Sequence, residues 1–210
     1  MNQQIVNERE TDIWHDVAKG IFEEGCVLDK RKNSKLEPYY IDARIRPEGL
    51  MSDELVERAS LLLYRMMLRR NILEEVLIAG VPNAGTTFAK AIVKFSGGLF
   101  SELPISRELR EFTVGISEKS NWKTVVPIEN VVTSGGSLIR TIYATREAGF
   151  TVNDAFVLIE REDTAKYRLK DIGVNLHTVV SIKDLMDFGC LHHFILPDFR
   201  DECVTFRSFR

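Results

Sequence analysis

The chain is poor in several things that would have pointed elsewhere. Among 210 residues there are only three cysteines, Cys26, Cys190 and Cys203. They are odd in number, widely spaced and without a CxxC pair, which argues against a disulfide framework or a zinc site and for a reducing cytoplasm. Charge of one sign is not in excess: 28 Lys and Arg face 31 Asp and Glu, a formal net charge of −3. No global basic field marks nucleic acid as the main partner. No apolar run reaches bilayer length, and the opening MNQQIVNERETD lacks the apolar core of a signal peptide, so no membrane is expected. The phosphate motif GxxxxGK[ST] is missing, as is GxGxxG, which leaves a P-loop nucleotidase or a dinucleotide site without support. Adjacent His192 and His193 lack spaced Cys, Asp or Glu partners, and no protein-held metal site is expected.

What is there is an alternation of short apolar strands and amphipathic helices. Residues 11–24 carry Ile13, Trp14, Val17, Ala18, Ile21 and Phe22 on one helical face, ended by Gly25. A basic stretch, Asp29 to Lys35, leads into a short strand over residues 38–44. Ser52 caps a helix through about Arg70. Strands follow at Val76–Ala79, Val125–Ile128, Ala155–Ile159 and His177–Val180. The helices between them are Thr86–Phe95, Leu138–Ala148 and Thr164–Ile172. This order predicts an α/β fold, a doubly wound parallel sheet in a single domain over residues 1–210, with residues 1–50 as a small N-terminal cap or hood. Pro127 fits poorly inside a core strand, because it removes a ladder donor. Residues 190–210 form an extra tail whose Phe194, Ile195, Phe199 and Phe206 are expected to dock on the body or on a partner.

In such sheets ligands sit beyond the carboxyl ends of the strands, where backbone amides and helix N-termini are open to anions. Two loops have that position and composition. Gly80-Val-Pro-Asn-Ala-Gly85 brings glycines that permit close backbone approach, and Thr133-Ser-Gly-Gly-Ser137 brings hydroxyls and amides to the start of a helix. Glu129 and Asn130, just upstream, are read as acceptors for two adjacent sugar hydroxyls. Together they form a candidate ribose-5-phosphate cradle.

Pro127-Ile-Glu-Asn-Val-Val-Thr-Ser-Gly-Gly-Ser137 resembles the phosphoribosyl pyrophosphate (PRPP) motif of type I phosphoribosyltransferases, two acids followed by a Thr/Ser/Gly loop. Other segments resemble the orotate branch in order. Glu37-Pro-Tyr-Tyr-Ile-Asp42 is similar to its N-terminal segment, and the Gly80–Gly85 loop to its pyrophosphate loop. The stretch from Arg107 resembles its mobile catalytic loop. Ile159-Glu-Arg-Glu162 and Leu176-His-Thr-Val-Val-Ser-Ile182 are similar to its last two motifs.

The resemblance implies a magnesium-dependent transfer of the phosphoribosyl group of PRPP to orotate, giving orotidine 5′-monophosphate and pyrophosphate, in a cytoplasmic homodimer with shared active sites. Its implied residue roles are as follows. Glu129 and Asn130 hold the ribose hydroxyls; Thr133, Ser134, Gly135, Gly136 and Ser137 bind the 5′-phosphate; Val81, Pro82, Asn83 and Ala84 bind pyrophosphate. Tyr39, Tyr40, Thr133 and Arg161 meet the base, Arg161 through the orotate carboxylate. Arg107 and Arg110, with Glu129, are the implied catalytic groups. The chain departs from the pattern at Asn130, where the family has an acid, at Glu108, where it has lysine, and at Ala84, where some members have lysine. Those departures keep two alternatives open: transfer to another base, or a PRPP- or nucleotide-binding regulator without turnover.

Overall fold

The structure, a computed structural model, describes residues 3–30, 39–44, 46, 48–73, 75–109, 111–119 and 121–206, with side chains of the first helix described from Ile13 onward. In chain order the elements are α1 (Gln3–Glu23), β1 (Val27–Asp29), β2 (Tyr39–Ile41), α2 (Asp53–Arg69), β3 (Val76–Gly80), α3 (Gly85–Phe95), β4 (Phe100–Glu102), β5 (Ile105–Glu108), β6 (Glu111–Val114), β7 (Thr124–Val132), α4 (Gly136–Glu147), β8 (Asp154–Glu160), α5 (Thr164–Asp171), β9 (Asn175–Ser181), α6 (Ile182–Leu191) and α7 (Pro197–Thr205).

Five strands make one sheet in the order β4-β3-β7-β8-β9, with parallel pairing throughout. Helices cover both faces, as the doubly wound pattern requires. On one face Val76, Ile78, Val126, Ile128, Phe156 and Leu158 pack against α1, α2 and α3 in a single apolar cluster. On the other, Leu77, Ala79, Val125, Ala155 and Val157 pack against α4 and α5 through Leu138, Ile142, Ala165 and Leu169. From β3 the chain crosses outward to β4 and then returns to β7 on the other side of β3, so the strand order reverses between β3 and β7. That reversal is the switch point where such sheets open a ligand crevice.

The sequence places these elements within a few residues, with instructive exceptions. Ser52 caps α2 as expected, its Oγ accepting from Leu55 N at 3.2 Å. Gly149 follows α4 at φ 89°, a conformation that favours glycine. The second core strand is longer than the Val125–Ile128 expected: β7 runs to Val132, carrying Glu129 and Asn130 inside the ladder. Two polar residues broke the apolar run in the sequence, while Val131 and Val132 continue it in space. Pro127 lies inside β7, in register with Ala79 of β3. Toward β8 the pairing stops after Thr124↔Thr151 and resumes at Ile128↔Phe156, so the ladder is interrupted at the residue that cannot donate to it.

The N-terminal segment supplies α1 to one layer and the antiparallel β1–β2 pair beside the strand ends. Residues 31–38, including the basic run and Pro38, lie outside the described residues. The tail begins within α6, which was not expected, although Ile182, Leu185, Met186 and Phe188 have helical spacing and Ser181 caps it. Its continuation docks on the body, with Phe199 and Cys203 buried and the Phe206 ring 6.3 Å from that of Tyr39. Among the described residues no helix is long and apolar enough to cross a membrane.

Candidate active site

Both glycine-containing loops emerge at the switch point, and backbone geometry locks them together. Val81 N donates to Ile128 O at 2.8 Å, and Gly85 N to Val81 O at 3.0 Å. A Cβ on Gly85 would collide with the Ile128 carbonyl oxygen, and one on Gly80 with the backbone of Thr86. The β3–α3 turn, with its cis Pro82–Asn83 peptide, is thereby pressed against β7 immediately before Glu129.

Beside it Glu129, Thr133, Ser134, Gly135, Gly136 and Ser137 line a polar cavity of about 300 Å3, together with Val131, Val132 and Arg140. Gly135 has φ 74° and begins α4, with Ile139 N bonded to its carbonyl at 2.8 Å. A Cβ there would sit tightly, 3.2–3.3 Å from Leu169 and Ala165 of α5, on a backbone conformation that already favours glycine. Arg168 of α5 donates to Ser134 O at 2.6 Å and holds the loop from outside. The exposed amides of a helix start, two glycines and three hydroxyls converge there, an arrangement suited to a single phosphate group. Val81–Ala84 do not line this cavity but stand at the neighbouring strand end.

Among the described residues Glu129 is the only carboxylate lining that cavity. Burial raises its pKa from 4.5 to about 8. A carboxyl whose folded pKa exceeds its unfolded value costs stability as pH climbs from 4.5 toward 8, since the unfolded chain ionises freely and the folded one does not. Glu129→Gln removes that cost. The variant is expected to match the parent near pH 4.5 and to be more stable by about 2 kcal/mol at pH 8.5, allowing for partial exposure. Urea unfolding at both pH values measures it, and equal stabilities at pH 8.5 would contradict it.

Asn130 goes elsewhere. It is 9 % exposed, and its Nδ2 donates to Ala43 O at 2.8 Å. The bond ties β7 to the segment following β2, and Asn130 is not among the residues lining the phosphate-sized cavity. It also gives a physical reason for an amide where the family motif has an acid: a carboxylate cannot donate to a carbonyl. Asn130→Asp, which restores the motif acid, is therefore expected to lower stability by about 1–3 kcal/mol at neutral pH, read as a drop in urea midpoint. An unchanged midpoint would show that the tether carries no weight.

Arg161 begins the turn after β8 and is 8 % exposed. Its backbone N bonds Val132 O at 2.8 Å, next to Thr133. Its guanidinium lies 4.7 Å over the Tyr39 ring, with Nε 3.4 Å from the Tyr39 hydroxyl. Tyr39 itself is 1 % exposed, a core residue that supports Arg161 from beneath. Tyr40 faces the other way, with Lys30 Nζ 4.6 Å from its ring centroid. The two tyrosines, expected together at the base, thus lie on opposite sides of β2.

The segment expected as a mobile loop is an antiparallel hairpin, β5–β6, in which Arg107 pairs with Phe112. Arg107 is exposed, donates to Leu109 O at 3.1 Å and lies 5.6 Å over the Phe112 ring. Arg110 lies outside the described residues. Sequence reading did not single out Arg140 or Arg168. Arg140 is separated from Gly136 by one helical turn, a spacing that would have flagged it. His177 is satisfied in its strand by Asp154 at 2.7 Å and stacks on Phe156 at 4.5 Å. No group of three or more His, Cys, Asp or Glu that could hold a metal occurs among the described residues.

No family model matches the chain. It is 28% identical over 166 residues to an orotate phosphoribosyltransferase of Staphylothermus marinus, covering 78% of this chain and 77% of that protein. Among solved structures, an orotate phosphoribosyltransferase of Aeropyrum pernix superposes with a TM-score of 0.65 at 24% identity, over 81% of this chain and 96% of that one. The UMP synthase of Leishmania donovani superposes with a TM-score of 0.73 at 23% identity, over 90% of this chain, which spans 41% of that longer protein.

Proposed function

For a chain that has the type I phosphoribosyltransferase fold and is similar in sequence to orotate phosphoribosyltransferases, we propose that it transfers the phosphoribosyl group of PRPP to orotate, giving orotidine 5′-monophosphate and pyrophosphate. The observation that carries the reading is the phosphate-sized polar cavity formed by Glu129 and Thr133–Ser137 at the switch point, with Arg161 beside it. The loop Thr133–Ser137 takes the 5′-phosphate, Glu129 faces the ribose, and Val81–Ala84 receive the leaving pyrophosphate. Arg161, held over Tyr39, pairs with the base carboxylate, a task suited to a planar guanidinium.

The chain's own contribution is positional and electrostatic. It keeps the base nitrogen in line with the ribose carbon and sets the Glu129 carboxyl against the ribose hydroxyls. Magnesium fits this site as an ion carried in by PRPP rather than held by the protein. Among the described residues lining the cavity Glu129 is the single carboxylate, which suits an ion held chiefly by substrate phosphates. When bound, the ion neutralises the leaving pyrophosphate. Arg107, at the exposed hairpin, is the group that can close over that leaving charge.

A cytoplasmic homodimer is part of the same proposal. In support, Leu109 at the hairpin tip is 95% exposed, an apolar side chain placed to meet another surface. Light scattering on the purified chain tests the dimer. For the reaction, PRPP and magnesium are supplied with orotate, uracil, adenine or hypoxanthine in separate incubations and the nucleotides identified by mass. Product from orotate alone is expected. Product from another base only reassigns the acceptor, and no product with PRPP-induced thermal stabilisation would indicate a regulator.

A further inference from the structure

The groups assigned to the phosphate so far are neutral: hydroxyls and backbone amides. The structure puts a cation among them. Arg140 stands four residues after Gly136 on α4, so its side chain shares that helix face and leans back toward the helix start. It lines the same cavity as Thr133–Ser137. It is exposed. The other nearby guanidinium, Arg168, is already committed to the Ser134 carbonyl. Among the described residues Arg140 also meets the ring of Phe112 on β6, whose centroid is 5.6 Å from its Cζ. Arg107, on the same hairpin, lies at 5.6 Å from that ring as well. One aromatic ring is shared by two guanidiniums that repel each other.

We propose that Arg140 is a ligand of the 5′-phosphate, and that Phe112 and the phosphate compete for it, so that filling the cradle loosens the hairpin from α4. An exposed cation over a half-buried ring is held weakly. A guanidinium paired with a phosphate forms two parallel charge-assisted hydrogen bonds and prevails. Binding of the sugar phosphate would thus free the strand that carries Arg107 to move over the pyrophosphate, which links occupancy of one subsite to closure of the next. The inference rests on the phosphate-cradle reading above.

The test is calorimetric titration of the purified chain with inorganic phosphate and with magnesium–PRPP. Arg140→Gln is expected to weaken phosphate binding about tenfold or more, with Arg140→Lys intermediate because it keeps charge and loses the fork. Phe112→Leu, which keeps an apolar side chain in the hairpin, is expected to tighten phosphate about threefold and to have no effect in the Arg140→Gln background. If the parent binds phosphate and both Arg140 variants bind it equally well, Arg140 is not a ligand. If Phe112→Leu binds as the parent does, the competition is wrong. If the parent binds neither ligand, the cradle reading itself fails and the inference falls with it. Thermal melts of each variant separate lost affinity from lost fold, and Arg140→Lys serves if the glutamine variant does not fold.

Discussion

Arg161→Ala is expected to lower kcat/KM for orotate by about two to four orders of magnitude, from loss of the two proposed charge-assisted hydrogen bonds at about 1.5–3 kcal/mol each. The PRPP dependence should change little, because the Thr133–Ser137 and Gly80–Gly85 loops proposed to hold PRPP do not involve this side chain. Arg161 also rests on Tyr39, so truncation costs packing as well as charge. Uracil, which lacks the carboxylate, separates the two effects. If Arg161 reads the carboxylate, the preference for orotate over uracil collapses in Arg161→Ala and is partly kept in Arg161→Lys. If Arg161 is only structural, both bases lose rate together and the preference survives.

Gly85→Ala should be among the most damaging single methyl additions in the chain. The new Cβ would strike the Ile128 carbonyl oxygen, a backbone atom already accepting from Val81 N. Neither partner can rotate away, so relief requires β3 and β7 to separate or the turn to rebuild. Overpacking of this kind costs about 3 kcal/mol, and it falls where the Gly80–Gly85 loop meets the strand that carries Glu129. We expect a lower urea midpoint and loss of the thermal stabilisation given by magnesium–PRPP. Gly97→Ala is the control: its Cβ would meet nothing within 4 Å, and only its φ of 59° is unfavourable, which costs about 1 kcal/mol. Equal effects at the two positions would show that the loop contact does not organise the site.

Much of this arrangement was legible in the residues. Strand, loop and helix recur with enough regularity that the sheet, its two helix layers and the two glycine loops at its carboxyl edge follow from apolar periodicity and glycine position. Sequence pattern misjudged what depends on contacts distant in the chain. Glu129 and Asn130 read as one polar pair at a strand end. Strand alternation instead turns Glu129 into the cavity and Asn130 toward Ala43, a partner 87 residues away. Tyr39 and Tyr40 read as one aromatic platform and are divided in the same way. The three-residue strands β1 and β4 are too short for a periodic signal. The β5–β6 hairpin was missed for another reason: its alternation, Ile105, Arg107, Phe112 and Val114, is mixed with charge and reads as a loop. Arg140 lies outside the Thr/Ser/Gly motif, and only helix geometry brings its turn back over the glycines.

The most direct measurement is the loss of orotate absorbance in its ultraviolet band, followed with purified chain, PRPP and magnesium. A decrease that requires PRPP and vanishes when magnesium is chelated is the predicted result. It would mean that the cradle, the Arg161 contact and the altered hairpin together suffice for turnover. A flat trace with all three components present, from protein that PRPP still stabilises against heat, would contradict the proposed transfer to orotate while leaving the phosphate cradle in place.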